Sequence, residues 1–202
     1  MAEARIGRVI VASLHQAIAD VLPQRLEFYE NWLNSHGLRE GTIGLAPLLA
    51  VISFLRTEGR AYEQVVARAG EYAADWSLAS MSPLRRKLIL MLPMWFRTRA
   101  ALGVARGLVR ESYSASKAVT RVRKSTAVVD LRGSLFCSVR ETAPAPLCGF
   151  YAAIVERVLK LFQVPAEAQS TRCRAMGAPG CEVTLSLYGR RPDETAGRAP
   201  LS

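Results

Sequence analysis

The spacing of apolar residues changes along this chain from a helical period to a period of two, and this change restricts the fold most. From residue 5 to about 80, apolar residues recur three and four positions apart, which is typical of amphipathic helices. Apolar and polar residues alternate instead over 127–139 and over 170–188. Because the helices precede strands joined through hairpins, the pattern predicts an α+β fold with an antiparallel sheet.

Proline and glycine divide the helical pattern into short segments. Pro23 closes the first segment, His36-Gly37 is a plausible C-terminal cap for the second, and Pro93 splits the basic stretch that opens at Ser82-Pro83. A further helical pattern returns late in the chain. The predicted helices cover residues 10–22, 26–33, 47–56, 62–78, 88–105 in two pieces, and 147–162.

Two hairpins flank the last of these helices. The first is predicted to pair 127–131 with 135–139 through a turn at Arg132-Gly133-Ser134. The second pairs 170–176 with 181–188 through the turn that begins at Gly177. In the final strand Cys181, Val183, Leu185 and Leu187 share one face.

A chain of 202 residues can bury roughly 70% of its unfolded surface, so one core suffices without staples. We expect a single ligand-binding domain over 1–189, with the helical N-terminal half packed on the antiparallel sheet and a helix between two C-terminal hairpins. Residues 190–202 are rich in Arg, Pro and Gly and predict a disordered tail.

Apolar runs such as 45–55 and 88–96 fall short of the ~20 residues that cross a bilayer. The first five residues include an acid and lead into a helical pattern, which is unlike a secretion signal. We therefore expect a cytoplasmic protein whose four cysteines are thiols or metal ligands rather than disulfides.

The formal net charge of +10 is concentrated in one segment. Residues 85–124 carry eleven Lys and Arg against one acid, Glu111, and the rest of this basic protein is balanced. A solvated face is one interpretation, and an anionic ligand group, acidic partner or membrane surface is a second. The aromatic pair Trp95 and Phe96 among these cations favours the second interpretation over nucleic acid, for which no recognition motif is visible.

Three cysteines bracket the last helix and hairpin: Cys148, Cys173 and Cys181. Thiolates are good zinc ligands, and the position of Cys148 at a helix start favours its thiolate. The spacing is not that of paired Cys-x-x-Cys knuckles, however, and buried cysteines often act as small apolar residues. That alternative applies to Cys137 and Cys181, which lie on apolar faces.

The C-terminal motifs resemble those of a known family. Cys148-Gly-Phe-Tyr-Ala-Ala-Ile-Val-Glu156, followed by Cys173-Arg-Ala-Met-Gly-Ala-Pro-Gly-Cys181, resembles the signature of the 4-vinyl-reductase domain. Upstream, Ala4-Arg-Ile-Gly7, the stretch 69–79 and Leu92-Pro93 are similar to the bacteriochlorophyll 4-vinyl reductase branch. The resemblance covers most of residues 4–188.

This resemblance implies an α+β ligand-binding fold, related to a trafficking-complex subunit that holds a fatty acyl chain. Family members are sensor modules of phenol-responsive bacterial regulators, or accessory proteins of bacteriochlorophyll biosynthesis. In the sensor branch three cysteines and a glutamate hold zinc. Cys148, Cys173 and Cys181 match the cysteines, whereas Ser170 stands at the glutamate position. Either Glu167, Glu182, Cys137 or water completes the zinc site, or the site is empty.

The leading hypothesis is a domain of sensor, carrier or accessory type that encloses a small hydrophobic molecule in a pocket between the helical half and the sheet. The resemblance makes a tetrapyrrole-related ligand one candidate. The alternative is a vinyl reductase, or a subunit of one, acting on a tetrapyrrole in bacteriochlorophyll biosynthesis. No dinucleotide loop, P-loop or iron–sulfur spacing is visible, and the two histidines, His15 and His36, form no catalytic set, so no catalytic residue is nominated. A homodimer is expected only from its general frequency. The candidate pocket residues, each of which has plain core packing as its alternative, are Trp76, Trp95, Phe96, Phe150 and Tyr151.

Overall fold

In a computed structural model, the structure describes residues 5–33, 44–139 and 141–188. Within these ranges, seven α-helices and four strands follow one another with the helices concentrated in the N-terminal half, so the predicted α+β class is confirmed. The predicted cap at His36-Gly37 and the predicted tail over 190–202 lie outside the described residues. The helices are α1 (Arg8–Val21), α2 (Leu26–Leu33), α3 (Leu45–Thr57), α4 (Arg60–Ala79), α5 (Pro83–Met91), α6 (Met94–Ser112) and α7 (Gly149–Leu161). The strands are β1 (Lys117–Arg123), β2 (Thr126–Arg132), β3 (Ala166–Arg172) and β4 (Cys181–Leu187).

Proline sets three of the helix boundaries, as the sequence predicts. Pro23 opens a short 3₁₀ turn directly after α1, and Pro83 is the first residue of α5. Pro93 separates α5 from α6. Proline fits a first helical turn because the amide that it lacks has no intrahelical partner there.

The four strands form one antiparallel sheet in the order β1-β2-β4-β3. The alternate residues of β4 that the sequence places on one face are all buried, and Val183 and Leu185 lie opposite Val129 and Ala127 of β2. The helix α7 contacts α4, α6 and β3. The core therefore lies between the sheet and the helices, with α7 in contact with both.

The first predicted hairpin is wrong in its second strand. β2 pairs with β1, which the sequence pattern does not assign, through a turn at Lys124-Ser125. Residues Leu135–Cys137 form a 3₁₀ helix, and all three of its side chains are buried. Three consecutive buried residues exclude a strand with one solvated face, because such a strand alternates. The second hairpin is confirmed, with β3 beginning earlier, at Ala166.

The packing of α7 against α4 depends on a residue without a side chain. A Cβ at Gly70 would lie 2.4 Å from the Phe150 carbonyl oxygen and 2.7 Å from the Ala153 Cβ. Further along the same pair of helices, the Arg157 guanidinium donates to both carboxylate oxygens of Asp75, at 2.8 and 3.1 Å. These contacts fix α7, and with it the residue that precedes it, Cys148.

Among the described helices, none combines the length and the apolar character that a bilayer-spanning helix requires.

Candidate functional site: a four-cysteine cluster beside a cleft

All four cysteines of the chain meet at one point. Their sulfur atoms lie within 4.8 Å of one another, and the Cys137 sulfur is 3.4 Å from those of Cys173 and Cys181. Every one of the four is at least 95% buried. The sequence motifs bring three of them together, and the structure adds Cys137, one of the candidates left open for the fourth position.

Four different segments deliver the four sulfurs. Cys137 is the last residue of the 3₁₀ helix after β2, and Cys148 is the residue before α7. Cys173 directly follows β3, and Cys181 opens β4. The loop between these two strands turns at Gly177, whose φ of 85° favours glycine. The cluster thus joins the loop after β2, the start of α7 and the final hairpin.

The geometry fits one tetrahedrally coordinated metal ion. Bonds of about 2.3 Å from zinc to sulfur place the four sulfurs of a tetrahedral site about 3.8 Å apart. The observed contacts of 3.4 Å, within an outer limit of 4.8 Å, bracket that value. The cysteines are free, not paired in disulfides. A set of four sulfurs selects soft metals, zinc foremost.

Backbone and hydroxyl donors surround the sulfurs. The amide of Leu147 donates to the Cys173 sulfur at 3.4 Å, and that of Arg174 donates to the Cys181 sulfur at 3.3 Å. The Ser134 hydroxyl donates to the Cys137 sulfur at 3.3 Å. Such donors stabilise thiolates and orient metal ligands.

Ser170, at the position where the family carries a glutamate, touches the cluster without entering it. The Cys148 thiol donates to its hydroxyl oxygen at 3.5 Å. Of the described acidic residues and histidines, none joins the four cysteines in the group, so Glu167 and Glu182 do not supply the fourth ligand. Cys137 holds that place.

The thiols perturb one another's ionisation. Contacts with Cys137 and then Cys148 lower the pKa of Cys181. The pKa of Cys137 is raised by Cys148, by Cys181 and by burial. Contact with Cys137 lowers the pKa of Cys148, but contact with Cys181 and burial outweigh it and raise that pKa overall. One thiolate therefore forms readily, and a bound cation is what favours ionisation of the others.

An open cleft of about 880 Å³ adjoins the cluster. Helices α3 and α4 form one wall, and the segment between Cys137 and Cys148, residues 138–147, forms the other; we call it the cleft segment. Apolar lining residues include Leu49, Ala50, Val139, Pro144, Pro146 and Leu147. Polar lining residues include Ser53, Arg56, Glu63, Ser138 and Glu141.

Hydrogen bonds from the helices hold the cleft segment. The Arg56 guanidinium donates to the Phe136 carbonyl at 2.7 Å and to the Ser138 carbonyl at 3.3 Å. The Tyr62 hydroxyl donates to the Leu147 carbonyl at 3.0 Å, and burial raises the pKa of Tyr62, so it stays protonated. Sequence reasoning missed both residues, because Arg56 ends one helical pattern and Tyr62 begins another without any motif.

The five aromatic residues predicted to line a pocket lie in three places, and none of them lines this cleft. Trp76 is partly exposed and stacks on Tyr72, with ring centroids 5.3 Å apart. Trp95 and Phe96 are exposed at the start of α6. Phe150 and Tyr151 are fully buried at the start of α7, with their ring centroids 5.4 Å apart. Their role in ligand binding stays a prediction.

The family model of the 4-vinyl-reductase domain matches residues 127–187, from β2 through β4. The resemblance to this domain is therefore confirmed for the part of the chain that contains the four cysteines. No curated protein sequence matches the chain.

Solved structures with this fold include sensory domains. The phenol-responsive sensory domain of the transcription activator PoxR, solved with phenol, is 12% identical with a TM-score of 0.50, over 74% of this chain and 77% of that one. An H-NOX domain from Shewanella oneidensis in the Fe(II)CO state is 13% identical with a TM-score of 0.56, over 92% and 99%. A crystal structure of an H-NOX protein from S. oneidensis in the Fe(II) state gives 13% and 0.56, over 93% and 98%. At these identities the likeness establishes the fold.

Proposed function

We propose that this chain is a small-molecule-binding domain of the sensor type, in which a metal ion held by the four cysteines fixes one wall of the ligand cleft. The main support is the position of the cysteines along the chain. The cleft segment begins directly after Cys137 and ends directly before Cys148, so the cluster clamps both of its ends.

Zinc is the metal that we propose. Four cysteine ligands close a tetrahedral site and leave no position for water or substrate, which is the form of structural rather than catalytic zinc sites. The ion would neutralise buried thiolates and join the final hairpin to the start of α7. Its contribution is therefore to stability and to the shape of the cleft, since metal binding free energy adds to folding free energy.

The cleft fits a small, mostly apolar molecule with a hydrogen-bond acceptor. Its walls are largely aliphatic with a few polar groups, the composition of small-molecule sites in general. The Nε atom of Arg56 is buried and has no acceptor among the described residues. A phenol or carboxylate oxygen would supply one, and the phenol-binding sensory domain of PoxR supports a ligand of this size.

Hydrogen exchange with mass spectrometry tests the link between metal and cleft. Stripping zinc with a chelator should increase exchange across 138–147 by at least about tenfold, because both anchors of the segment are released. Helix α1 (Arg8–Val21), which contacts neither the cluster nor the cleft, serves as the internal control. Equal exchange in the cleft segment with and without zinc would contradict the proposal.

Thermal unfolding with three probes tests the ligand class. Phenol and benzoate should raise the melting temperature in proportion to the logarithm of their concentration, and toluene, which lacks an acceptor, should do so less. Arg56→Met should remove the advantage of the two oxygen-bearing probes. The matched control is Arg60→Met, at an exposed arginine four residues away that does not line the cleft. The same response in both variants would show that Arg56 does not bind the acceptor.

A further inference from the structure

We propose that α5 and the first turn of α6 dock this protein onto an anionic lipid bilayer. The surface, here called the α5–α6 face, lies outside the cleft and the cysteine cluster. Its large apolar side chains are Leu84, Leu88, Met91, Met94, Trp95 and Phe96.

The apolar side of α5 faces solvent rather than the core. Leu84, Leu88 and Met91 are 68%, 57% and 73% exposed, and their spacing of four and three residues places them on one side of the helix. Ile89 is the only residue of α5 that is buried. A surface helix normally turns this stripe inward, so the orientation of α5 points to a partner outside the chain.

The start of α6 continues this surface beyond Pro93. Trp95 and Phe96 are 48% and 55% exposed, and their rings meet edge to face with centroids 5.0 Å apart. The Arg99 guanidinium lies 3.7 Å from the centre of the Trp95 ring. Tryptophan with a neighbouring cation is suited to the boundary between headgroups and acyl chains.

Cations surround these apolar residues without acidic partners. Arg85, Arg86 and Lys87 are exposed between Leu84 and Leu88, and none forms an ion pair with a carboxylate of the described residues. A groove of about 520 Å³ between α6 and β1 continues the charge. Its basic lining residues are Arg99, Arg106, Arg121 and Arg123.

Arg121 alone of these four groove arginines pairs with a described carboxylate, that of Asp130. The other three are therefore available to phosphate headgroups. Guanidinium groups bind phosphate through two parallel hydrogen bonds. Arg99 both lines this groove and stacks on Trp95, so the basic groove and the apolar residues form one continuous surface.

The combination of groups selects a bilayer over other partners. Residues 85–124 carry eleven cations and one acid, so a second copy seated on the same face would bring like charges together. Duplex nucleic acid has no use for six exposed large apolar side chains. An anionic leaflet accepts both features, since the apolar side chains enter the headgroup boundary while the cations remain at its surface.

Co-sedimentation of the full chain with vesicles tests the proposal. The two vesicle types are phosphatidylcholine alone and phosphatidylcholine with phosphatidylglycerol as about a third of the lipid. The protein should sediment with the anionic vesicles at least about tenfold more tightly than with the neutral ones, and salt near 0.5 M, which shortens the screening length to a few Å, should release it.

Two variants separate the apolar and the charged contributions. Leu88→Gln with Met91→Gln should weaken vesicle binding about tenfold or more, and Arg85→Gln with Arg86→Gln and Lys87→Gln should weaken it by a similar factor. These side chains are exposed, so both variants should keep the melting temperature of the parent protein. A charge-matched control replaces three exposed arginines elsewhere, Arg8, Arg60 and Arg172, with Gln.

Three results would overturn the proposal. The first is equal binding of the anionic vesicles by the parent, the two variants and the control. The second is retention on duplex DNA with no retention on anionic vesicles. The third is dimerisation in analytical ultracentrifugation that the Leu88 and Met91 variant abolishes, without vesicle binding, which would assign the face to a second copy. None of these results bears on the cleft or the cysteines, so they leave the proposed function as it stands.

Discussion

The cysteine cluster and the α5–α6 face treat apolar sequence in opposite ways. At the cluster, three consecutive residues from Leu135 to Cys137 are all buried, although their sequence resembles a strand with one solvated side. In α5 an equally apolar stretch leaves Ile89 alone buried. The difference shows that apolar content gives the amount of surface to be covered, whereas neighbouring elements decide whether the chain itself covers it.

Replacing a cluster cysteine should give the largest loss of stability. In Cys173→Ser the metal site loses a ligand, and we expect unfolding free energy to fall by more than about 4 kcal/mol, as for other losses of a structural metal. Chemical denaturation in the presence of zinc measures the change. A chelator should then destabilise the parent protein and leave the variant unaffected; equal sensitivity would show that stability does not depend on a bound metal.

A matched pair of leucines tests the comparison directly. Leu185 in β4 is fully buried and Leu88 in α5 is 57% exposed. Leu185→Ala should cost about 2–5 kcal/mol through the cavity that it leaves. Leu88→Ala should change stability by no more than about 0.5 kcal/mol. Denaturant unfolding of both variants measures the contrast, and similar losses would mean that α5 is packed against the core after all.

Arg56 should have an intermediate effect that is confined to one segment. Arg56→Met removes the hydrogen bonds to the Phe136 and Ser138 carbonyls, which should cost about 1–3 kcal/mol because buried acceptors lose their donors. Hydrogen exchange should increase across 138–147. Unchanged exchange there, or the same increase in Arg60→Met, would show that the guanidinium does not hold the cleft segment.

Ser170 should have the smallest effect. If Cys137 is the fourth ligand, Ser170→Ala removes one weak contact with Cys148, keeps one metal per chain and changes stability by no more than about 1 kcal/mol. Cys137→Ser should lose the metal. Metal content by elemental analysis distinguishes the two, and loss of metal in Ser170→Ala would make the serine, or water held by it, part of the site.

The helices were predictable because each has a repeating apolar stripe and a proline or glycine at an end. β4 was predictable for the same reason, since one face of it is buried along its whole length. β1 was missed because it is an edge strand with one fully buried side chain, at Ala118, among exposed and half-buried ones. Without a clear alternation, its sequence merges with the basic stretch before it.

The candidate site was predictable in part. The motifs around Cys148, Cys173 and Cys181 identify three members of the cluster, but the place of Cys137 depends on a turn after β2 that spacing does not reveal. Gly133 permits that turn, with φ of 69° and the Ala115 carbonyl oxygen 2.3 Å from where a Cβ would lie. The cleft was not predictable, because Arg56 and residues 138–147 meet through tertiary contacts alone.

Native mass spectrometry of the freshly purified protein, before and after a zinc chelator, tests most directly whether the four cysteines hold a structural metal. We expect one zinc per chain, lost together with the folded charge-state distribution when the chelator is added. A bare polypeptide mass, with all four cysteines alkylated while the protein stays folded, would contradict this assignment.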